Sequence, residues 1–476
     1  MNSLPRVVVL GAGPAGAGAA FQLRRLKRAD VTLVEQRDVV GGNAGSFEWG
    51  GQRLDYGSHR LHPACDPEIL ADIRSLLGDD LLDRPRHGRI YLRGKWIHFP
   101  LKPHDLLLRL DRKFAVGVLG DMVGRRSNGN GHQADTFASV LQANLGPTIC
   151  EDFYFPYARK IWGREPEQLS GIQARRRVSA GSFRKLARKV MSAVPGFKPP
   201  GAGRFYYPRR GYGQITEAYA EAAEKLGAEM MLGWAVAGLK PAGATPEAGW
   251  QVELKRNGES RSLHADYVWS TLPINLLARM ISPPPPEHVM KAAQALDYRS
   301  MLLVYLELDV DQFTEYDAHY FPAAEIAITR LSEPKNYAVL AEPRGRTTLC
   351  AELPCTINDE YWQMSDAELG DVVARDLERA GIPLKRAPTN VYVRRLPHAY
   401  PIYLNGYESA FNTLDAWAAG LPRLLTYGRQ GLFAHDNTHH ALAMAYRAVD
   451  CLEEGVWNAE RWQDNRKVFE THVVED

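Results

Sequence analysis

The sequence has few cysteines, no long hydrophobic run and almost no net charge. Its five cysteines stand far apart and form no Cys-x-x-Cys pair, which argues against a disulfide framework and against a zinc site. No apolar run reaches the ~18 residues that a membrane-spanning helix requires. A net charge of +2 over 476 residues gives no reason to expect nucleic acid as a partner. These absences, and a first strand that begins too early to leave room for a signal peptide, predict a cytoplasmic protein without a bound metal.

One segment has a composition that would suit a membrane surface. Residues 106–123 are largely apolar, but five charged residues interrupt them, so we expect core helices there and keep peripheral membrane contact as the alternative. Residues 125–133 are polar and rich in glycine and asparagine, which predicts a mobile loop. The length suggests two or three domains, and no internal repeat divides them.

The clearest motif stands at the start of the chain. Residues 7–10 form a short apolar run typical of a buried parallel strand, and a Gly-x-Gly-x-x-Gly loop and an amphipathic helix follow at once. In such a loop the first glycine allows a tight turn, the second lets a pyrophosphate approach, and the third lets the helix pack on the strand. The helix N-terminus attracts the phosphates. The residues of this predicted dinucleotide site are Gly11, Gly13, Pro14, Ala15 and Gly16.

A second strand and a second glycine pair extend the predicted site. Residues 31–34 are apolar or β-branched and end in Glu35, about 20 residues beyond the glycines, where an acceptor for a ribose hydroxyl belongs. Gln36 lies beside it, and Gly41, Gly42 and Asn43 follow. NAD would need only the first loop, whereas an extended FAD uses both. The sequence therefore predicts FAD as the cofactor.

These motifs, with the segment from Tyr56 to His59, resemble the FAD-binding fold shared by amine oxidases, protoporphyrinogen oxidases and UDP-galactopyranose mutases. Asn43 departs from the amine oxidases, which carry arginine there, and is similar to the mutase branch. The His-x-x-His pair of His59 and His62 is also similar to that branch. The resemblance extends over nearly the whole chain and is strongest at both ends. It implies that Gly57, Ser58 and His59 run along the flavin ring.

The last 80 residues carry a second motif. A strand reaches Gly428, and a helix follows that Asp436, Asn437 or Thr438 is predicted to cap. Backbone N–H groups at such a helix start can face a pyrophosphate or a flavin carbonyl. The resemblance implies the following further cofactor contacts: Gly428 and Arg429 by the pyrophosphate and ribityl chain, Asp436, Asn437 and Thr438 by the isoalloxazine, Val236 by the adenine, and Thr271 nearby. No cysteine lies between residues 397 and 450, so we expect the FAD to be bound non-covalently.

The predicted fold class is α/β. A Rossmann-like FAD-binding domain of the glutathione reductase type, discontinuous in sequence, takes residues 1–62, 205–295 and 390–476. An inserted α+β substrate domain takes residues 63–204 and 296–389. Within these pieces, residues 301–308, 325–330 and 347–352 are predicted strands, 366–380 an amphipathic helix and 397–401 a loop.

Candidate catalytic residues follow from the placement beside the flavin. His59 could polarise the flavin or act as an acid or base near neutral pH, with Arg60 and His62 as further candidates. The alternative is a histidine that is hydrogen-bonded within its own loop. Arginines suit phosphate oxygens, so a basic cluster is predicted to bind an anionic substrate, unless it is a solvated helix face. Its members are Arg175, Arg176, Arg177, Arg209 and Arg210.

Two chemistries suit this set of residues. In the first, a small-molecule substrate, including sugar- or phosphate-containing ones, transfers hydride to flavin N5, and the protein is a FAD-dependent oxidoreductase. In the second, which the mutase resemblance implies, reduced flavin acts on a nucleotide sugar and the protein is an isomerase. A flavin- or lipid-binding protein without turnover is the third interpretation. The sequence makes no prediction of the oligomeric state.

Overall fold

A computed structural model describes residues 4–99, 134–177, 203–340 and 342–474, together with five residues between 114 and 121. The predicted mobile loop at 125–133 and nearly all of residues 106–123 lie outside the described residues.

In chain order, the strands are β1 (Arg6–Leu10), β2 (Asp30–Glu35), β3 (Ser46–Trp49), β4 (Gln52–Asp55), β5 (Leu81–Pro85), β6 (Gly88–Leu92), β7 (Lys95–Phe99), β8 (Arg204–Pro208), β9 (Glu229–Leu232), β10 (Ala235–Pro241), β11 (Trp250–Arg256), β12 (Glu259–Ala265), β13 (Tyr267–Ser270), β14 (Asp297–Leu308), β15 (Ala318–Tyr320), β16 (Arg330–Ser332), β17 (Thr347–Cys355), β18 (Asn390–Ile402), β19 (Leu424–Thr426), β20 (Leu452–Glu453) and β21 (Val456–Trp457). The α-helices are α1 (Pro14–Arg25), α2 (Pro67–Leu77), α3 (Phe137–Leu145), α4 (Pro147–Ile149), α5 (Phe155–Trp162), α6 (Gly171–Arg177), α7 (Gln214–Lys225), α8 (Ile274–Met280), α9 (Glu287–Ala295), α10 (Pro334–Ala338), α11 (Glu360–Gln363), α12 (Asp366–Arg379), α13 (Tyr407–Ala419), α14 (Gly428–Gly431), α15 (Thr438–Asp450) and α16 (Ala459–Phe469).

Five parallel strands form the first sheet, in the order β19-β13-β1-β2-β9. β1 lies at its centre, and the two faces of this strand are buried differently. Val7 and Val9 pack with α1, α7 and α15, whereas Val8 and Leu10 pack with the antiparallel sheet β10-β11-β12. Burial on both faces explains why the strand is a continuous apolar run rather than an alternating one.

Seven strands form the second sheet, in the order β18-β14-β17-β16-β15-β6-β7. All neighbours are antiparallel except β15 and β6, which run parallel. The amphipathic helix predicted at 366–380 is confirmed as α12, which begins at a capping box formed by Ser365 and Glu368. Its apolar face, with Leu369, Val373 and Leu377, packs on this sheet.

Two local predictions for this region are wrong. Residues 325–329 form no strand, because the N–H groups of Ala327 and Ile328 donate to the Asp376 carboxylate on α12 (2.8 and 3.0 Å) instead of to a neighbouring strand. Residues 397–401 are not a loop but the end of β18, which pairs with β14 across a β-bulge between Arg299 and Met301. The two prolines of this segment misled the prediction, since β18 is an edge strand and tolerates a missing N–H group.

The predicted domain boundaries stay a prediction. Residues 390–402, which the prediction assigns to the FAD-binding domain, pair as β18 with the second sheet. Helices α3, α5 and α6 form a separate apolar cluster with the end of β18. In the part of the chain that the structure describes, no helix is both long and apolar enough to cross a bilayer. The five cysteines are all buried, and no two of them form a disulfide bond.

Candidate functional site

A cavity of about 380 Å³ opens at the carboxyl ends of four parallel strands, and we call it the strand-end cavity. Open α/β sheets commonly bind ligands at this edge. The loops that follow β1, β2, β13 and β19 all contribute to its wall. The sequence-predicted residues that line it are Gly11, Gly13, Pro14, Ala15, Glu35, Gln36, Gly42, Asn43, Ser58, His59, Arg60, Thr271, Arg429, Asp436, Asn437 and Thr438.

The loop after β1 requires its glycines. Gly11 has a φ of +95°, and a Cβ added there would lie 2.4 Å from Oγ1 of Thr271. A Cβ on Gly16 would lie 1.8 Å from the carbonyl oxygen of Gly11. No side chain caps the start of α1, so the amides of its first turn remain available at the cavity wall. This is the arrangement that a phosphate-binding helix start needs.

Glu35 ties the two glycine-rich turns together. Its buried carboxylate accepts hydrogen bonds from the backbone N–H groups of Ala12 (2.9 Å) and Arg37 (3.0 Å). The second turn lies directly against the first, since a Cβ on Gly42 would be 3.1 Å from Cα of Gly13. Gly41 lies behind the wall and donates its N–H to the carbonyl oxygen of Ala12 (2.8 Å). The two turns therefore form a single surface.

The two ends of the chain meet on β18. The side-chain amides of Asn43 and Gln430 both donate to the carbonyl oxygen of His398, at 3.2 and 2.9 Å. The guanidinium of Arg429 donates to the neighbouring carbonyl oxygen of Ala399 (2.8 Å). One strand of the second sheet thus holds the N-terminal and C-terminal walls of the strand-end cavity in place.

His59 lies buried in the cavity wall. Its ring stacks on Tyr212, with the centroids 5.3 Å apart and the planes 23° apart. Burial and the nearby charges of Arg330 and Arg429 lower the pKa of His59 to about 3. Among the described residues its Nδ1 has no hydrogen-bond partner. The structure therefore favours a neutral imidazole here over a group that titrates near neutral pH.

A buried carboxylate holds Arg330 beside His59. Glu352 on β17 accepts from Arg330 (2.8 Å) and, through its other oxygen, from the backbone N–H of Ser58 (2.8 Å). The hydroxyl of Ser58 is hydrogen-bonded to Tyr337. Gly57 lies just behind the wall, where a Cβ would be 3.1 Å from the Glu352 carboxylate. One carboxylate therefore fixes both the predicted flavin loop and a guanidinium.

Arg60 and His62 differ in position. Arg60 lines the cavity, pairs with Asp317 (3.3 Å) and lies over the rings of Phe205 and Tyr337. His62 does not line the cavity, and its Nδ1 accepts the N–H of Ala64 (3.1 Å).

The predicted basic cluster is not brought together. Arg175 and Arg176 line a separate cavity of about 830 Å³, which we call the second cavity. Arg175 forms a bidentate ion pair with Asp135 (2.8 and 2.6 Å). Arg209 and Arg210 line neither cavity, and Arg209 pairs with Asp80 (3.3 Å). The side chain of Arg177 lies outside the described residues.

Two other predicted contacts lie behind the wall. Gly428 has a φ of +75°, and a Cβ there would meet Cβ of Ala15 at 2.8 Å, so this glycine lets the C-terminal segment reach α1. Val236 pairs with Leu254 in the β10-β11 hairpin and does not line the cavity.

Several cavity residues were missed by the sequence reasoning. Three of them stand on β16 and β18, and the others come from β15, α14 and loops elsewhere in the chain, where no motif of the nucleotide fold marks them. The missed polar and aromatic residues are Arg37, Arg86, Tyr212, Tyr320, Arg330, His398, Tyr400, Gln430 and His435. The sequence signal that would have found Arg330 is weak, because the residue is a single arginine after the short apolar stretch 326–328.

One group of side chains has the composition of a metal site. Asp436, His440 and His472 each bring one ligand atom within 4.8 Å of the others. His440 and His472 stack with their ring centroids 4.2 Å apart and their planes 14° apart. Nδ1 of His472 faces Asp436 at 3.3 Å, and Nδ1 of His440 is hydrogen-bonded to the N–H of Asn437 (3.2 Å). Stacking and hydrogen bonding account for this arrangement, because the lone pairs of parallel rings do not converge on one point.

The strand-end cavity also contains buried polar atoms that suit a cofactor. Nδ1 of His59, Oε1 of Gln430 and Oδ1 of Asp436 are buried there without a hydrogen-bond partner among the described residues. Leaving such groups unsatisfied costs roughly 1–3 kcal/mol each. Together with the uncapped start of α1, they match a ligand that carries phosphate, hydroxyl and ring polar groups.

Comparison with known proteins also indicates a flavin-binding protein. The family profile described as flavin containing amine oxidoreductase matches residues 15–450. A phytoene dehydrogenase of Streptomyces griseus is 44% identical over 78 residues, which make up 16% of this chain and only 15% of that relative's length. The sequence similarity to this relative is therefore local and leaves most of the relative's length unmatched.

Solved structures share the whole fold. The structure of reduced UDP-galactopyranose mutase matches with a TM-score of 0.81 at 20% identity, over 99% of this chain and 98% of that one. A candidate protoporphyrinogen oxidase from Exiguobacterium sp. matches with a TM-score of 0.72 at 21% identity, over 94% and 98%. The fold class and the resemblance predicted from the sequence are confirmed. With its strand-end cavity and a profile match over most of its length, the chain belongs to the family of flavin-containing amine oxidoreductases.

Proposed function

We propose that the protein is a FAD-dependent oxidoreductase that oxidises a small molecule by hydride transfer to the flavin. The observation that carries this proposal is the strand-end cavity, where two glycine turns, an uncapped helix start and three unsatisfied polar atoms face one space. We infer FAD rather than NAD, because the isoalloxazine would extend the ligand toward the C-terminal part of that wall. A long dinucleotide would contact both ends of the chain.

The residues that would hold FAD divide into three groups. The first turn of α1, at Pro14 and Ala15, would receive the pyrophosphate, and Glu35 would lie by the ribose. Asp436, Asn437 and Thr438, at the start of α15, would face the polar edge of the isoalloxazine. When bound, FAD supplies a two-electron acceptor, while the protein supplies orientation and local charge.

The positive charges of the cavity wall support the further proposal that the substrate is an anion. Arg330 and Arg429 act on the same histidine, and Arg60 and Arg86 line the same cavity. The carboxylate of Glu352 neutralises part of this charge and fixes Arg330 in place. A guanidinium that is already oriented loses little freedom when it binds a carboxylate or phosphate. Neutral His59, with an unused Nδ1, is available to hydrogen-bond substrate or cofactor.

We infer that FAD is bound without a covalent link to cysteine. In the described part of the chain no cysteine lines the strand-end cavity, and burial raises the pKa of the Cys350 and Cys65 thiols. We also propose a cytoplasmic location, which the wide spacing of the five cysteines in the sequence supports. Denaturation should release all of the yellow chromophore into the filtrate. Flavin that stays with the precipitated protein would refute the non-covalent assignment.

A mutase-like isomerase is the second candidate. The arginines around His59 would suit a nucleotide-sugar pyrophosphate, and the whole chain shares the fold of a galactopyranose mutase structure. Such an activity would involve no net oxidation of the substrate.

Anaerobic mixing separates the two candidates. The holoprotein is mixed with panels of amines, sugar phosphates and nucleotide sugars while its absorbance at the flavin band is followed. Bleaching by substrate alone supports the oxidoreductase. Product formation only after reduction by dithionite supports the isomerase and overturns the proposed oxidation.

A further inference from the structure

We propose that the second cavity, which shares Asp436 with the wall of the strand-end cavity, is a binding site for a planar aromatic anion. This proposal goes beyond the oxidoreductase function and does not depend on it. The cavity has a volume of about 830 Å³, which is within the usual size range of small-molecule sites. It lies between α3, α6, α13 and the C-terminal residues 469–473.

Four aromatic rings form one wall of the second cavity. Tyr403 and Tyr407 stack with centroids 4.2 Å apart and planes 9° apart. The ring centroids of Phe433 and Tyr403 are 5.7 Å apart with their planes at 30°, and those of Phe411 and Phe433 are 6.2 Å apart with their planes at 24°. Tyr403 and Phe433 are fully buried, whereas Tyr407 and Phe411 are half-buried. The rings of Tyr407 and Phe411 are therefore the ones that can contact a flat ligand, because offset stacking adds to the burial of apolar area.

Arg176 supplies the positive charge of the site. Its guanidinium lies over Tyr403, with Cζ 5.9 Å from the ring centroid. Its Nε is buried and has no hydrogen-bond partner among the described residues, and no carboxylate of that part of the chain forms an ion pair with it. The carbonyl oxygen of Arg176 accepts the N–H of Val474 (2.9 Å), which fixes the backbone at this point.

The other charged groups of the second cavity already have partners or lie at its rim. Arg175 is paired with Asp135, and Arg466 with Asp415 (2.8 Å). Glu408 accepts from the hydroxyl of Ser170 (3.2 Å), Asp436 faces His472 (3.3 Å), and Glu470 is exposed. Arg176 is therefore the group that can pair with the charge of an incoming anion, while the aromatic wall accepts its ring.

The test uses the flavin-loaded protein and two matched probes. Isothermal titration calorimetry measures the binding of naphthalenesulfonate and of naphthalenesulfonamide, which has the same ring system without the charge. Arg176→Gln is compared with Arg175→Gln, a neighbouring arginine of the same cavity whose guanidinium is occupied by Asp135. Phe411→Ala tests the ring contact, and flavin absorbance shows in each sample that the protein is folded and loaded.

We expect wild-type protein to bind one naphthalenesulfonate. Arg176→Gln should weaken the sulfonate about tenfold, the size of one charge-assisted hydrogen bond, and leave the sulfonamide unchanged. Arg175→Gln should change neither, and Phe411→Ala should weaken both. The proposal is overturned if wild-type protein binds no sulfonate, if both arginine variants behave alike, or if the sulfonate displaces flavin. Protein that binds the sulfonate but no flavin would refute the oxidoreductase proposal alone.

Discussion

Gly16 has no room for a side chain. Because an added Cβ would lie 1.8 Å from the carbonyl oxygen of Gly11, Gly16→Ala must push α1 away from β1. We expect a loss of stability on the order of 3 kcal/mol, the upper range for overpacked cores, and loss of bound flavin. Thermal unfolding and flavin content measure the two effects. The control is Gly238→Ala, where the nearest atom to a Cβ is 3.6 Å away, and a flavin-loaded, stable Gly16→Ala protein would contradict the prediction.

His319 makes stability depend on pH. Burial and the charge of Arg89 lower its pKa to about 3, whereas in an unfolded chain it is roughly 6.5. Between these values the unfolded state binds the extra proton, so the free energy of unfolding falls as the pH decreases from 6.5 toward 3. The uptake of this one proton by the unfolded state lowers the free energy of unfolding by about 2 kcal/mol between neutral pH and pH 5.

The variant His319→Gln removes the group that takes up this proton in the unfolded state. Its melting temperature should therefore fall less between pH 7 and pH 5 than that of the wild type. The exposed His288→Gln should follow the wild type, and an equal fall in all three proteins would disprove the role of His319.

Glu352 connects two elements, since it joins the predicted flavin loop to β16. Glu352→Gln removes the carboxylate charge that pairs with the largely buried side chain of Arg330. Breaking a buried pair in this way costs roughly 3–5 kcal/mol. We expect a lower melting temperature and weaker flavin retention in gel filtration. The matched control is Glu253→Gln, whose exposed ion pair with Lys240 should not affect either measurement. Identical behaviour of the two variants would contradict this assignment.

At the scale of elements, the sequence predicted those helices and strands whose pattern of residues has a local physical cause. The apolar run before Gly11 predicts a buried parallel strand, and the helical spacing of Leu369, Val373 and Leu377 predicts α12. It failed where the partner is distant in sequence. The carboxylate of Asp376 takes the amides of residues 327 and 328, and the prolines near His398 concealed the long strand β18. No local pattern contains either of these contacts.

The whole molecule brings distant segments to one cavity. Most residues that the nucleotide motifs at both chain ends mark as a cofactor site line the strand-end cavity, and their contacts with a cofactor stay a prediction. Arg330 and Tyr400 could not be predicted, because they reach the cavity from the second sheet through the register of β14, β16 and β18. Arg175 and Arg176 were placed near an anion by charge alone, and the structure puts them beside a different cavity.

Because the walls of the strand-end cavity come from both chain ends, FAD should stabilise the molecule as a whole. A ligand that binds only the folded state raises stability by RT ln(1 + [L]/Kd), about 2.7 kcal/mol at a hundredfold excess over Kd. We expect FAD added to flavin-free protein to raise its melting temperature in a concentration-dependent manner. NAD at the same concentration should have little effect, since it lacks the isoalloxazine. An equal shift with both dinucleotides would argue against the proposed cofactor.

The shared acceptor on His398 sets the order of events during synthesis. Asn43 and Gln430 donate to this one carbonyl oxygen, and nearly the whole chain separates them. The ribosome has therefore synthesised nearly all strands of both sheets before the two walls of the strand-end cavity can be joined. A nascent chain that ends before Gln430 lacks one of the two walls that this carbonyl oxygen joins.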